Sequence, residues 1–445
     1  MLNFNVLSQK SNLFNSFNTP LVCEKMNSEL SGFYKKNIKK RINEISKKAK
    51  LSNFEKKTLL KETTLQFKVV DRMVENSIGT FETPLGIATF FKINKKDYLI
   101  PMATEEASVI AACSKGAKLA RVSGGFKTKS TKPIMIGQLQ LIKIKNLTKV
   151  KKLILKNKSK ILKLANSVDP TLVKFGGGAK NIEIRSLKKK TLVIHLLVNV
   201  KDAMGANAVN SMCETISPMI ENITNEKVRL KILSNLAVHR TAKAKAIWLE
   251  KNLGKEVIRK IIEAHQFAEL DSFRAVTHNK GIMNGIAALT MATGNDYRAI
   301  EAGCHGFACL KGTYEPLTKY YKDKKGNLVG EIEIPVQFGL IGGATKIMPK
   351  AQIALKILGV KSSQELGEIA AAVGLSQNFA ALNALATEGI QKGHMKLHAK
   401  NLATMAGAKG KEIDTVAKKI VNSGKATFDE AKHILKHLRK NDKKK

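Results

Sequence analysis

The longest uncharged run in the chain, Ile369 to Thr387, does most to limit the folds open to it. A stretch that long and apolar has to be buried, in lipid or in a protein core. Ser376, Gln377 and Asn378 stand at its centre. Three successive polar residues suit two buried helices joined by a turn better than a bilayer span. A second stretch, GIMNGIAALTMAT from Gly281 to Thr293, is apolar enough for a buried central helix. Only 5% of the residues are aromatic, so alanine and small aliphatic side chains must do much of the packing. At 445 residues the chain exceeds one ordinary core, and two or three domains are expected.

The rest of the sequence sorts around those helices. Lysine clusters alternate with Ile38, Ile42, Ile45 and Leu51 in residues 31–65, the pattern of surface helices. Phe81 to Ile100 reads as strand, and Thr104-Glu105-Glu106 opens a helix with Val109, Ala112, Cys113 and Ala117 at helical spacing. Residues 132–234 differ. The strand runs PIMIGQLQLIKI, NIEIRSL and TLVIHLLVNV are interleaved with the helical runs KNKSKILKLANS and NAVNSMCETISPMIEN, which fits a small split-βαβ domain. Alanine-rich helices dominate beyond Arg240, residues 331–340 return to strand, and the last fifty residues read as lysine-rich helix broken at Gly407 and Gly410.

The net charge of +41 invites a nucleic-acid reading. Two features argue against it. The basic residues are overwhelmingly lysine, whereas arginine is the better reader of bases and phosphates. They are also scattered along the whole length, without the interleaved aromatics of a single-strand platform. A solvated lysine surface is the better account. Cys23, Cys113, Cys213, Cys304 and Cys309 form no CxxC pair, so neither a disulfide framework nor a zinc site is indicated, and a reducing cytoplasm is the natural home. The Asn/Ser-rich first 25 residues lack the apolar core of a signal peptide. They read as a floppy extension, with Met26 as a candidate alternative start.

The common phosphate and nucleophile motifs are missing: no G-x-G-x-x-G after a strand, no Walker A sequence, no G-x-S-x-G elbow. What stands out is a set of dispersed Gly/Asn/Asp-rich blocks. They are ENSIGTFETPLGIATFF (75–91), PMATEEASVIAA (101–112), DAMGANAVN (202–210), THNKGIMNG (277–285), GNDYRAIEAG (294–303), FGLIGGATK (338–346) and TEGIQKGHMKLHAKNLA (387–403). In these blocks, and in their order from about residue 33 to the C-terminus, the chain resembles the 3-hydroxy-3-methylglutaryl-coenzyme A (HMG-CoA) reductases, most of all the soluble class II enzymes. The first thirty residues have no counterpart in that pattern.

Each block also has a plain local reading. A carboxylate in a first helical turn favours the positive dipole end, and Glu105 and Glu106 serve that purpose equally well. Neighbours on a helix point about 100° apart, so only one of them can face a site. The resemblance makes the second, Glu106, the catalytic glutamate, and puts Ser108 on the HMG moiety. The family usually carries proline where Ala107 stands here. Lys280 reads as part of an Asn-Lys-Gly turn before an apolar helix, and Asp296 as a helix N-cap. By resemblance these are the catalytic lysine and aspartate, with Arg274, Asn284, Asn235 and Gln377 binding substrate. His394 and His398 share a helix face, but a zincin needs glutamate after the first histidine and Met395 stands there. No metal is expected, and the GHM sequence makes His394 the family's catalytic histidine. Gly205 lets the backbone approach a ligand ahead of a helix whose first N–H groups are free for a pyrophosphate. The resemblance assigns Asp202, Ala203, Met204, Gly205, Ala206 and Asn207 to a nicotinamide dinucleotide, with Gly342 and Gly343 near it. It also puts Asp169 at the adenosine ribose, where a carboxylate bonds hydroxyls and repels a 2′-phosphate. The lysines around it leave NADH and NADPH both open.

The fold so implied is α+β. It has a large helical domain around a long central helix (31–131 and 235–390), an inserted ferredoxin-like cofactor-binding domain (132–234) and a C-terminal helical flap (391–445), after an extension at 1–30. The implied reaction is a two-step reduction of the HMG-CoA thioester to mevalonate and CoA. Lys280 would stabilise the oxyanion, a nearby Asp296 would keep it charged, Glu106 would protonate the carbonyl oxygen and His394 the leaving thiolate. The family works as homodimers or larger assemblies with active sites at subunit interfaces, with no nucleic acid or membrane as partner. Mevalonate oxidation by the same site and a basic nucleic-acid-binding protein are the alternatives.

Overall fold

The structure, a computed structural model, describes residues 27–61, 64–387 and 389–442, with the side chains of all of these except 390–397 and 441–442. The extension before residue 27, with Cys23 and Met26, lies outside the described residues, as does the side chain of His394. The fold is mixed α+β and its sheets are antiparallel.

Among the described residues a 3-10 turn at Phe33–Lys35 precedes three α-helices: α1 (Ile38–Lys48), α2 (Asn53–Leu60) and α3 (Phe67–Met73). The first two begin at side-chain caps, Asn37 for α1 and a reciprocal Ser52–Glu55 box for α2. The hairpin β1 (Leu85–Ile93) and β2 (Lys96–Ala103) follows, then α4 (Ala107–Arg121) and β3 (Lys127–Ser130). Residues 27–30 are not part of a loose extension. Ser28 is buried and donates its hydroxyl to the Phe91 carbonyl (3.0 Å), while Leu30 packs with Ile45 and Leu99. The packed chain therefore starts a few residues earlier than the sequence pattern suggested.

Next come β4 (Ile134–Leu141), α5 (Leu147–Lys156), α6 (Lys158–Asn166), α7 (Pro170–Lys174), β5 (Gly178–Leu187), β6 (Thr191–Asn199), α8 (Ala206–Thr224) and β7 (Val228–Ser234). The sheet order is β5-β6-β4-β7, antiparallel throughout. This is the split-βαβ arrangement, with its own core of Leu139, Ile154, Ile161, Ile194, Val209 and Ile216. The chain leaves β3 to build this unit and returns in β8 (Thr241–Trp248), which pairs with β3, Lys127 opposite Lys245 and Ser130 opposite Ala242. Entry and exit are thus neighbouring hydrogen-bonded strands, and an excursion between them leaves the surrounding sheet intact.

The remainder contains α9 (Glu250–Leu253), α10 (Lys255–Leu270), α11 (Ser272–Ala292), α12 (Tyr297–Ala308), β9 (Thr318–Lys322), β10 (Leu328–Pro335), α13 (Ala344–Ile347), α14 (Pro349–Leu358) and α15 (Ser363–Ala386). Helices α16 (Ile390–Met405), α17 (Lys411–Ser423) and α18 (Phe428–Asp442) close the chain around a separate core of Ala399, Leu402, Val416, Ile420 and Leu435.

The expectation of helix beyond Arg240 fails at β8, whose alternating alanines and lysines put one face on the core, and two expected turns fail as well, each for an identifiable reason. The turn expected at Ser376-Gln377-Asn378 does not form, and α15 runs through it unbroken. The first and last of these side chains find partners off the helix: the Ser376 hydroxyl donates to the Cys113 carbonyl (2.8 Å), and Asn378 Oδ1 accepts from Thr318 (3.2 Å) and Tyr320 (2.9 Å). With those bonds made elsewhere, nothing competes with the helix backbone. Among the described residues α15 is the one helix long and apolar enough to cross a membrane, and it is mostly buried in protein. Likewise Asn279-Lys280-Gly281 is no turn but the middle of α11, which Asp271 caps. A Cβ on Gly281 would meet nothing, whereas Gly285 marks close packing. A Cβ on Gly285 would meet Val373 and Gln377 of α15 at 3.1 Å.

Candidate active site

Helix α11 presents one solvent-facing stripe in the single chain. Phe273 (88% exposed), Val276 (49%) and Met291 (36%) lie on it together with Lys280 and Asn284. The opposite face is held by buried polar contacts at the two residues just before the lysine. Asn279 donates to the Glu315 carbonyl and accepts from the Leu317 N–H, both at 2.9 Å. His278 Nε2 lies 2.6 Å from the Thr318 hydroxyl, which itself donates to Asn378. Lys280 is thus exposed on a helix that cannot rotate. Arg274 is half-buried, and burial holds its guanidinium below the usual arginine range. That guanidinium has no partner among the described residues. Below the stripe, Gln377 is buried against Gly285, and its Oε1 has no hydrogen-bond partner among the described residues. An unmatched buried oxygen is costly, so it marks a place where a ligand donor is favoured.

Glu106 is the N-cap residue of α4 and makes no cap bond with its side chain. Its carboxylate instead accepts from the Ser108 hydroxyl, and its N–H donates to Thr104 Oγ1 (3.3 Å). Glu105 is exposed while Glu106 is half-buried, so the two acids do face different surroundings. Asp296 does cap α12, accepting from the N–H groups of Arg298 and Ala299 at 3.1 Å, and it pairs with the Arg298 guanidinium (3.2 Å).

One expected neighbourhood is missing from the single chain. The Asn295 N–H folds back onto the Thr290 carbonyl (3.0 Å), which sets Asn295 beside the last turn of α11, about 15 Å of helix beyond Lys280. No ion pair joins Lys280 and Asp296 among the described residues. Asn235 is exposed on the segment after β7, where its carbonyl accepts from Gln337 (3.0 Å).

The 202–207 segment wraps the start of α8. Gly205 has φ +94°, and a Cβ there would meet Val200 at 2.4 Å, so both conformation and space require glycine. The N–H groups of Met204 through Ala208 have no acceptor among the described residues, and no side chain caps this 19-residue helix. Such a row of free donors at a helix start fits an anionic pyrophosphate. Asp202 is tied down: its carboxylate accepts from the Ser363 N–H (2.7 Å) and its carbonyl from the Leu340 N–H (2.8 Å). Gly342 and Gly343 (φ +88° and +60°) follow in the adjoining loop. Asp169 caps the short α7, accepting from the Leu172 N–H (2.8 Å).

Sequence reading passed over Arg240, which is 3% exposed beneath this loop. The one signal available was its type, an arginine in a chain whose cations are nearly all lysine. Asn279 and Asn295 were missed as well. The Asn295 side chain accepts from the Gly339 N–H (2.7 Å) and so joins the α11–α12 turn to the glycine loop.

The family profile described as hydroxymethylglutaryl-coenzyme A reductase matches residues 37–399. The chain is 56% identical to the 3-hydroxy-3-methylglutaryl-coenzyme A reductase of Archaeoglobus fulgidus, over 93% of this chain and 95% of that one. It is 37% identical to a probable reductase of Borreliella burgdorferi, over 82% and 86% of the two chains. The Streptococcus pneumoniae reductase superposes with a TM-score of 0.79 at 37% identity, covering 92% of this chain and 99% of its own. A class II enzyme of the same organism, bound to NADPH in open conformations, superposes at 0.77 with 37% identity, covering 91% and 100%. By sequence and by fold together, the chain belongs to the hydroxymethylglutaryl-coenzyme A reductase family.

Proposed function

We propose that the α11 stripe and the α4 and α12 starts carry the reduction of HMG-CoA to mevalonate and free CoA in this chain, an NAD(P)-dependent oxidoreductase. The observation that carries this assignment is Lys280 exposed on a fixed helix face, on the same helix as the unpaired Arg274 guanidinium and as Gly285, against which Gln377 with its unmatched Oε1 is packed. A bound nicotinamide dinucleotide, NADH or NADPH, supplies hydride. Lys280 stabilises the carbonyl oxygen as it gains charge, and Glu106, held by Ser108, delivers a proton to it. Arg274 pairs with the HMG carboxylate, while Asn284, Asn235 and Gln377 hold its oxygens. His394 protonates the departing CoA thiolate. The free N–H groups of 204–208, with Gly342 and Gly343 alongside, hold the dinucleotide, and Asp169 meets the adenosine ribose.

On this reading 132–234 is the dinucleotide domain, ferredoxin-like in topology. Residues 31–131 and 235–390 form the large domain, and 391–445 form a flap that closes over the site. The site is completed between two copies of the chain. Two observations support that: no ion pair joins Lys280 and Asp296 in one copy among the described residues, and the stripe bearing Lys280 also exposes Phe273 and Val276. The cytoplasm suits the buried thiols of Cys113, Cys213 and Cys304.

The direct test is a spectrophotometric assay of HMG-CoA with NADH and NADPH in parallel. HMG-CoA-dependent loss of reduced nicotinamide absorbance is the expected result. Its absence with both cofactors, in a folded dimer, would sink the assignment.

A further inference from the structure

Arg240 is the most completely buried cation that the proposed reaction leaves unused. Its guanidinium donates to the carbonyls of Ala203 (3.1 Å) and Met204 (3.3 Å) on one side, and to the Phe338 carbonyl and Ser363 hydroxyl (3.1 Å) on the other. Ser363 continues the link, donating its hydroxyl to the Lys201 carbonyl (3.0 Å) and its N–H to Asp202 (2.7 Å). Burial pushes the Arg240 pKa down to about 10, with Asp202 opposing the shift, so the group is still charged at neutral pH. No chemical step requires a charge here. What it does is mechanical: within a peptide unit C=O and N–H point opposite ways. Drawing the carbonyls of Ala203 and Met204 inward therefore turns the N–H groups of Met204 and Gly205 away from Arg240. Those donors, with Ala206 to Ala208, are the ones lacking acceptors among the described residues.

We propose that Arg240 is a positioning residue for the dinucleotide: through Ser363 and the carbonyls of Ala203, Met204 and Phe338 it presets the row of N–H donors that holds the cofactor's pyrophosphate. This rests on the assignment of the 202–207 segment to the cofactor. It adds that cofactor affinity depends on a side chain that never touches the cofactor. A lysine offers one point charge and cannot reach both loops with a forked donor set.

The test compares wild type, Arg240→Lys, Arg240→Met and Ser363→Ala as full-length dimers. NADPH dissociation is followed by nucleotide fluorescence without HMG-CoA, and the KM for HMG-CoA and thermal midpoints are measured alongside. Losing this set of charge-assisted bonds should weaken NADPH binding about ten-fold or more in Arg240→Met, less in Arg240→Lys and about three-fold in Ser363→Ala. The KM for HMG-CoA should change by less than about two-fold. Unchanged NADPH affinity in a folded Arg240→Met overturns the proposal. So does an equal loss for NADPH and HMG-CoA, which marks a general structural role. If Arg240→Met does not fold, Ser363→Ala and Arg240→Lys decide, and wild-type affinity in both overturns it. A wild-type chain that binds neither NADPH nor NADH removes the cofactor assignment itself, a result distinct from any of these.

Discussion

Lys280 and His394 can be separated by the charges each has to answer. A carbonyl oxygen gains charge whenever hydride arrives, both in the thioester and in free mevaldehyde, whereas a thiolate leaves only from the thioester. Lys280→Ala should therefore lose roughly 10²–10³ in turnover on both substrates, the loss typical of a missing oxyanion donor. A His394 replacement that cannot donate a proton should cripple HMG-CoA reduction but largely spare mevaldehyde, since a thiol pKa of about 8.5 makes protonation matter only where thiolate is expelled. Assays of both variants on both substrates at saturating cofactor decide it. Equal losses for the His394 variant would give that residue another role. His278, two positions before Lys280, makes a different prediction. Burial, then Arg274 and His265, push its pKa down to about 3. The unfolded chain takes up a proton below the ordinary value of about 6.5 and the folded chain refuses it, so stability is full above that pH and falls as pH drops towards 3, by at most about 1.4 kcal/mol per pH unit. Urea unfolding at stepped pH should show a shallower acid loss in His278→Gln, and parallel slopes would mean that His278 titrates normally. Single residues were unevenly legible. The capping role of Asp296 was readable, because a cap is a local relation. Choosing Glu106 over Glu105 needed the family pattern, and Arg240 was invisible because its partners stand at 203, 204, 338 and 363.

At the level of elements, periodicity identified most of the helices and the longer strands; β8 lay in a stretch read as alanine-rich helix, because TAKAKAIW alternates alanine with lysine, and β3 and β9 went unread. Other errors came where tertiary partners overrode local chemistry. Asn279 and Asn378 looked like turn formers because their amides compete for nearby backbone. Each instead reaches across to β9 or the loop before it. The small unit was legible as split βαβ because its strands alternate with amphipathic helices, although β7 had escaped notice among the polar residues of VRLKILS. Helix α4 approaches α15 closely at Gly116. A Cβ on Gly116 would stand 2.5 Å from the Ser376 carbonyl oxygen, and Trp248 Nε1 donates to the Gly116 carbonyl (3.2 Å) while its ring stacks on Phe379. Backbone cannot yield as a flexible side chain can. Gly116→Ala should therefore destabilise the fold by about 1–3 kcal/mol despite its better helix propensity, measured by chemical denaturation. A neutral or stabilising result would show that α4 can slide over α15.

At the scale of the whole molecule, the question is which chain supplies which catalytic group. Helix α11 is a rigid spacer: Lys280 lies in its middle, and the turn back to Thr290 leaves Asp296 near its far end. No ion pair joins the two groups within one chain among the described residues, and the proposed shared site takes Lys280 from one copy and Asp296 from the other. Sequence alone gave no sign of this reading, because the fifteen positions between the two residues resemble a local motif until the helix between them is known to be unbroken. Mixed dimers give the decisive experiment. Lys280→Ala and Asp296→Ala homodimers should each be nearly inactive. Refolded together at equal amounts, about half the dimers are mixed, and in each mixed dimer one site receives an intact Lys280 from one chain and an intact Asp296 from the other. Activity should return to about a quarter of wild type, rising and falling with the fraction of mixed dimers resolved by differential tagging. If both groups served the same site from one chain, every site in the mixture would still lack one of them. Activity would then stay at the level of the separate variants, and the shared-site reading would have to be given up.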